Sequence, residues 1–170
     1  MTQNPINLVN RIPDPEFLYK GEADAAYGPA VVAPAQLLVF EREMAEVSEK
    51  MILEVMALFD DHEIELDHSE ESFEELDKLM DQNWPNPIED EEVLEAIVAN
   101  WGAYLGVSIV ENIGGTWTFR KDLEHASIYF PRLDLEAFPL HVIKQRFQLG
   151  GRGQQTLATF YGALVAKLTA

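Results

Sequence analysis

The sequence predicts an α+β fold in which helices and strands occupy separate stretches of the chain. Three observations carry this. Apolar residues recur at three- and four-residue spacing from Phe40 to Leu58, two β-rich runs flank Gly114-Gly115, and helical spacing returns after Leu140. The predicted order is an N-terminal extended arm and helices, a small antiparallel β-meander, and two C-terminal helices. At 170 residues the chain suits one domain, because cores divide only beyond about 250 residues. The arm is expected at residues 1–35 and a single α+β domain at 36–170. Within that domain, 36–104 is the acidic helical part, and 105–170 holds the meander and C-terminal helices.

Five of the nine prolines (Pro5, Pro13, Pro15, Pro29 and Pro34) lie in the arm. Proline fixes φ and disfavours helix at the preceding residue, so the arm should be mostly extended. Its Leu8, Val9, Ile12, Phe17, Leu18 and Tyr19 are too apolar for a free linker, and the arm should lie on the domain or on a partner subunit. A helix is predicted from Ala35 to Phe59, with Phe40, Met44, Val47, Met51, Val55 and Leu58 on its apolar face. Met44, Met51 and Met56 read as core filling rather than an adaptable binding face. The acidic connection from Asp60 to His68 reads as a solvated loop. Ser72-Phe-Glu-Glu75 has the pattern of a capping box. It would open a short helix carrying Phe73, Leu76, Leu79 and Met80, which Pro85 and Pro87 end. Asn86 is expected to cap the next helix, with Pro87 as its first residue and Val93, Leu94, Ile97, Val98, Trp101 and Tyr104 along it.

Val107 to Ile113, the two glycines, and Thr116 to Arg120 predict a β-hairpin. Ser127 to Phe130, stopped by Pro131, is the expected third strand. Leu140 to Gln148 and Gln155 to Leu168 are the last two helices, separated by Gly150-Gly-Arg-Gly153.

Charge is the most informative single feature. Twelve Lys and Arg face 30 Asp and Glu, a net of -18. Residues 41–100 hold 21 acids and three bases, net -18; residues 1–40 carry -2 and residues 101–170 carry +2. Such a field repels phosphates, which argues against sequence-unspecific nucleic-acid binding and against an anionic membrane surface. The longest apolar stretch, Ala30 to Phe40, is interrupted by Pro34 and Gln36 and is too short for a span of about 20 residues. The N-terminus lacks the basic start and apolar core of a secretory signal, so the expected location is cytoplasmic.

Catalytic signatures are missing. With no cysteine, thiolate nucleophiles, iron–sulfur clusters and cysteine-based zinc sites are removed together. No serine lies in a Gly-x-Ser-x-Gly elbow, and there is no phosphate-binding Gly-x-x-x-x-Gly-Lys and no His-Glu-x-x-His. Glu65-Leu-Asp-His68 has the Glu-x-x-His spacing of di-iron bundles, which need two such motifs; one is found. No catalytic residue, cofactor or dedicated metal site is therefore expected. Gly150-Gly-Arg-Gly153 before a helix could hold an anion with Arg152, Lys144 and Arg146, although an interhelical loop is the preferred reading. The basic end could also face the acidic middle and relieve part of its repulsion.

Trp101-Gly-Ala-Tyr-Leu-Gly106, Gly114-Gly-Thr-Trp117, Phe138-Pro-Leu-His-Val-Ile-Lys144 and Phe160-Tyr161 together resemble a group of bacterial domains of unknown function. The resemblance covers about residues 87–168. It departs where Gln154 and Gln155 replace an acidic residue common after the glycine loop. It implies a small immunity or accessory protein rather than an enzyme. Gly106, Gly114 and Gly115 would serve turn geometry, and Trp101, Tyr104 and Trp117 the core.

The sequence is expected to encode a non-enzymatic acidic interaction protein, an immunity-type inhibitor of a basic protein partner. Asp60, Asp61, Glu63, Glu65, Asp67, Glu70, Glu71, Glu74 and Glu75 would supply the charge, and Phe73 or Trp84 an aromatic anchor. The alternatives are a small-ligand or anion-binding module, an uncharacterised enzyme, and a nucleic-acid mimic.

Overall fold

A computed structural model describes residues 16–59, 64–149 and 156–170. It has the α+β architecture expected. Strand β1 (Phe17–Tyr19) leads into α1 (Lys20–Tyr27), α2 (Pro34–Leu58), α3 (Glu70–Asn83) and α4 (Glu91–Ile113). Strands β2 (Thr116–Thr118), β3 (Ser127–Phe130) and β4 (Leu135–Ala137) follow, then α5 (Pro139–Leu149) and α6 (Leu157–Thr169). The sheet is antiparallel in the order β1-β4-β3-β2, with Phe17 opposite Ala137 and Trp117 opposite Ile128. The chain's first described segment is thus an edge strand.

Residues 20–27 are helical, where the proline-rich arm is expected to be extended. The sequence Lys-Gly-Glu-Ala-Asp-Ala-Ala-Tyr contains no proline, and Ala23 is buried against the sheet side of the molecule. A buried ion cluster holds this helix in place. Arg120 donates from Nη1 and Nη2 to Glu136, from Nη2 to Asp24 at 2.6 Å, and from Nε to the Gly28 carbonyl. Ser127 Oγ donates to Glu136 Oε2, so Thr118 Oγ1 is left to donate to Ser127. With every acceptor satisfied, a fully buried glutamate is tolerated.

Helix α2 begins within one residue of expectation, with Pro34 in its first turn. It buries Phe40, Met44, Met51 and Val55, while Met56 and Leu58 are exposed. Helix α3 buries Phe73, Leu76, Leu79 and Met80, as its spacing predicts. Its cap is Ser69, not Ser72: Ser69 Oγ accepts from the Ser72 amide, while Ser72 Oγ donates to the Ser69 carbonyl. Asp90, not Asn86, caps α4, accepting from the amides of Glu92 and Val93.

The largest departure is at residues 107–113, expected as a strand. They are the last two turns of α4, which runs unbroken through Gly106 to Ile113. Helix α2 packs on one side of α4, α5 on another, and α6 and β3 complete its surroundings. Gly106 is a helix-interior glycine because a Cβ there would lie 2.1 Å from Trp117 Cη2. Gly114, at φ 86°, ends the helix by donating its amide to the Val110 carbonyl. The meander is therefore β2-β3-β4, displaced one element along the chain from expectation. By length and apolarity α4 could cross a membrane, but over half of its apolar window is buried within the fold.

Candidate functional site

The acidic middle of the sequence becomes an exposed surface. Of the described acids between 41 and 100, Asp77 alone is buried. Glu70, Glu71, Glu74 and Asp81 stand on the outer side of α3, opposite the residues it packs into the core. Among the described residues, no basic side chain pairs with Glu70, Glu71 or Glu74; Lys78 reaches Glu75 at 3.5 Å and Arg146 reaches Asp81 at 2.6 Å. Asp60, Asp61 and Glu63 lie outside the described residues. The following segment is not a solvated loop. Ile64 and Leu66 are buried while Glu65 and Asp67 point outward, an alternation of period two. The two amide and hydroxyl hydrogen bonds from Ser69 hold the Asp67 carboxyl below its ordinary pKa.

That segment is fastened to α4 through His68, whose φ of 65° is left-handed. Its ring stacks on Tyr104 at 4.7 Å, its amide donates to Tyr104 Oη, and Asn112 Nδ2 donates to its carbonyl. His68 Nδ1 lies 2.8 Å from Ser108 Oγ. The pair has the composition of a nucleophile and its base, but Ser108 is fully buried and donates its proton to the Tyr104 carbonyl. Nδ1 must then be the donor to Ser108. The arrangement is a clasp, not a catalytic dyad. Burial raises the Tyr104 pKa, so its hydroxyl stays protonated and donates to Ser72.

The expected aromatic anchors are differently placed. Phe73 is 0% exposed and packs on Tyr104 and Tyr161, so it cannot meet a partner. Trp84 is half-buried, held edge to face by Trp101 and Phe147. The expected anion site is not assembled from its described members. Arg146 is buried and bound to Asp81, Lys144 donates to Glu124 at 2.7 Å, and Arg152 lies outside the described residues. Arg146–Asp81 is also the link between basic end and acidic middle seen among the described ion pairs.

A second constellation has no counterpart in the sequence reading. Glu124 and His125, in the short turn Leu123–His125, meet His141 of α5, with one ligand atom from each within 4.8 Å of the others. Tyr27 of α1 stacks on the His125 ring at 4.0 Å. Burial, the largest influence, holds the His125 pKa below its ordinary value, so the ring is neutral at pH 7. For Glu124, burial opposes ionisation, but the hydrogen bond and charge of Lys144 hold its pKa below the usual glutamate value. Glu124 and Lys144 also line a cavity of about 500 Å³ between α4, the 121–124 turn and α5, with Glu91, Glu95 and Asp122 around it.

A family model matches residues 38–163, from the first turns of α2 into α6. The chain belongs to DUF6278, a family of unknown function. The matched residues of this DUF6278 member include the α3 carboxylates and the Glu124–His125–His141 cluster. No curated protein and no solved structure matches the chain.

Sequence spacing could not have revealed the histidine cluster. Glu124 and His125 are adjacent, and His141 follows after 15 intervening residues that form β3, β4 and the start of α5. Only the return of the chain from β4 into α5 brings them together. Arg120 was equally hidden, because nothing in its neighbours marks it for burial.

Proposed function

We propose that this protein is a non-enzymatic acidic interaction protein, of the immunity-inhibitor type, that binds a basic protein partner through the outer face of α3 and the adjoining Glu65 and Asp67. The supporting observation is the set of carboxylates at 70, 71 and 74, exposed and without basic partners among the described residues, on a helix whose other face is anchored in the core. Acids in a first turn favour the helix dipole. Glu74, however, stands one turn from Glu70 and from Glu71, and like charges at these spacings destabilise a helix by about 0.2–0.5 kcal/mol per pair. The pattern is therefore costly to the fold, which favours a role outside it. A rigid field of one sign accelerates encounter with a basic surface and rejects acidic competitors.

The test is affinity capture by the full chain and by its Glu70→Gln/Glu71→Gln/Glu74→Gln variant. The expected result is a Lys/Arg-rich protein retained at low salt, released as salt rises, and lost from the variant. Equal retention by both chains, insensitive to salt, would contradict the proposal.

A further inference from the structure

We propose that Glu124, His125 and His141 form a binding site for a divalent transition-metal ion of the zinc class, at the inner edge of the cavity between α4 and α5. Two imidazoles and one carboxylate are a donor set that zinc accepts, with a fourth position left for water or another ligand. The mixed nitrogen and oxygen donors suit zinc and its neighbours better than calcium or magnesium, which take oxygen alone.

Geometry supports the assignment in three ways. The ligand atoms already converge within 4.8 Å of one another. Tetrahedral bonds of about 2.0–2.1 Å place ligand atoms about 3.3 Å apart, so side-chain rotations of up to about 1.5 Å complete the site. The scaffold is firm: two ligands sit in a tight, internally hydrogen-bonded turn packed against α5 and α4, the third on the buried helix α5, and the Tyr27 ring braces His125. Asp122 Oδ2 lies 3.6 Å from His125 Nδ1, so a small rotation would bring it to the place of the outer carboxylate that commonly orients a metal-binding imidazole.

Lys144 does not block the site. Its ammonium engages Glu124 Oε2, and Oε1 remains for an ion. Because Glu124 also lines the 500 Å³ cavity, the ion would be reached from that side, with Glu91, Glu95 and Asp122 favouring the approach of a cation. These residues stand apart from the α3 carboxylates, and the proposal is independent of the basic-partner reading.

The experiment is a calorimetric titration of the chelator-treated full chain with zinc, repeated with cobalt while its visible absorption is recorded. The expected result is one tight equivalent and the intense absorption of four-coordinate cobalt. Glu124→Gln and His125→Phe should each weaken binding at least tenfold; phenylalanine preserves the stack on Tyr27 while removing both nitrogens. Glu70→Gln/Glu71→Gln/Glu74→Gln should leave the tight equivalent unchanged. Absence of a tight equivalent, or equal binding by wild type and His125→Phe, overturns the assignment and leaves only diffuse binding by surface acids.

Discussion

Replacing Gly106 by alanine should destabilise this protein, although the same change in most helices stabilises. Alanine in a helix interior is favoured over glycine by about 1 kcal/mol. Here the new Cβ would lie 2.1 and 2.3 Å from two ring carbons of Trp117. Carbon contacts are comfortable at about 3.5–4.0 Å, so the indole must retreat by about 1.4 Å or more. It has little room. Trp117 is buried, sits in the middle of β2 opposite Ile128, and meets Phe40 edge to face. Overpacking of a well-filled core costs about 1–3 kcal/mol and occasionally more. Taking the upper end and subtracting the propensity gain leaves a net loss of about 2 kcal/mol. For a chain of this length that corresponds to a midpoint lowered by about 4–8 °C. Thermal unfolding followed by circular dichroism reads it directly. Gly162→Ala is the matched control, because that helical glycine of α6 has nothing within 4 Å of its Cβ position and should gain stability. A Gly106→Ala midpoint equal to or above wild type would refute the close approach of Trp117 to α4.

Three further outcomes follow from buried charge. Asp77, on α3, accepts from the amides of Leu157 and Ala158 and so caps α6 from a different helix. Asp77→Ala should cost about 2–3 kcal/mol in urea unfolding, combining a lost cap with an unsatisfied buried donor. Burial, outweighing those two donors, raises the Asp77 pKa in the folded state. Between the ordinary carboxylate pKa and that raised value the folded chain binds more protons than the unfolded one, so this contribution to stability falls as pH rises. Relative to Asp77→Asn, wild type should therefore gain stability on acidification from pH 7 through that window; an unchanged difference would contradict the burial. Arg120→Ala strands the buried Glu136 carboxylate and should cost about 3–5 kcal/mol, with partial recovery in Arg120→Ala/Glu136→Gln, measured by chemical denaturation. Full stability of the single variant would contradict the cluster's role in holding α1.

The fold was legible where one side of an element meets water. Helix α2 has one buried face, and its 3.6-residue spacing located it to within a residue. Helix α4 packs against α2, α5, α6 and β3, so its stretch 101–109 is buried almost all round and loses the periodic signature. A run such as Val-Ser-Ile-Val then reads as a strand, and the glycine pair after it as a hairpin turn. Gly106 strengthened that misreading, because its reason is a partner ring 11 residues away rather than local backbone geometry. The starts of α3 and α4 were misplaced by a few residues, since Ser69 and Ser72, or Asn86 and Asp90, are chemically equivalent caps until the backbone decides. The charge segregation was legible in full, because exposed acids need no tertiary partner. The histidine cluster was not, because three residues from a turn and a helix become neighbours only through the β4–α5 connection.

Recognition of a basic partner, as proposed, requires the α3 carboxylates to act as a steering surface. The most direct measurement is the association rate of a captured basic partner with wild type and with Glu70→Gln/Glu71→Gln/Glu74→Gln, each across a range of ionic strength. Steered association falls steeply with salt. Wild type should associate faster at low salt and lose that advantage as salt rises, while the variant should show a shallower dependence. Identical rates and identical salt slopes for the two chains would show that the acidic face takes no part in recognition.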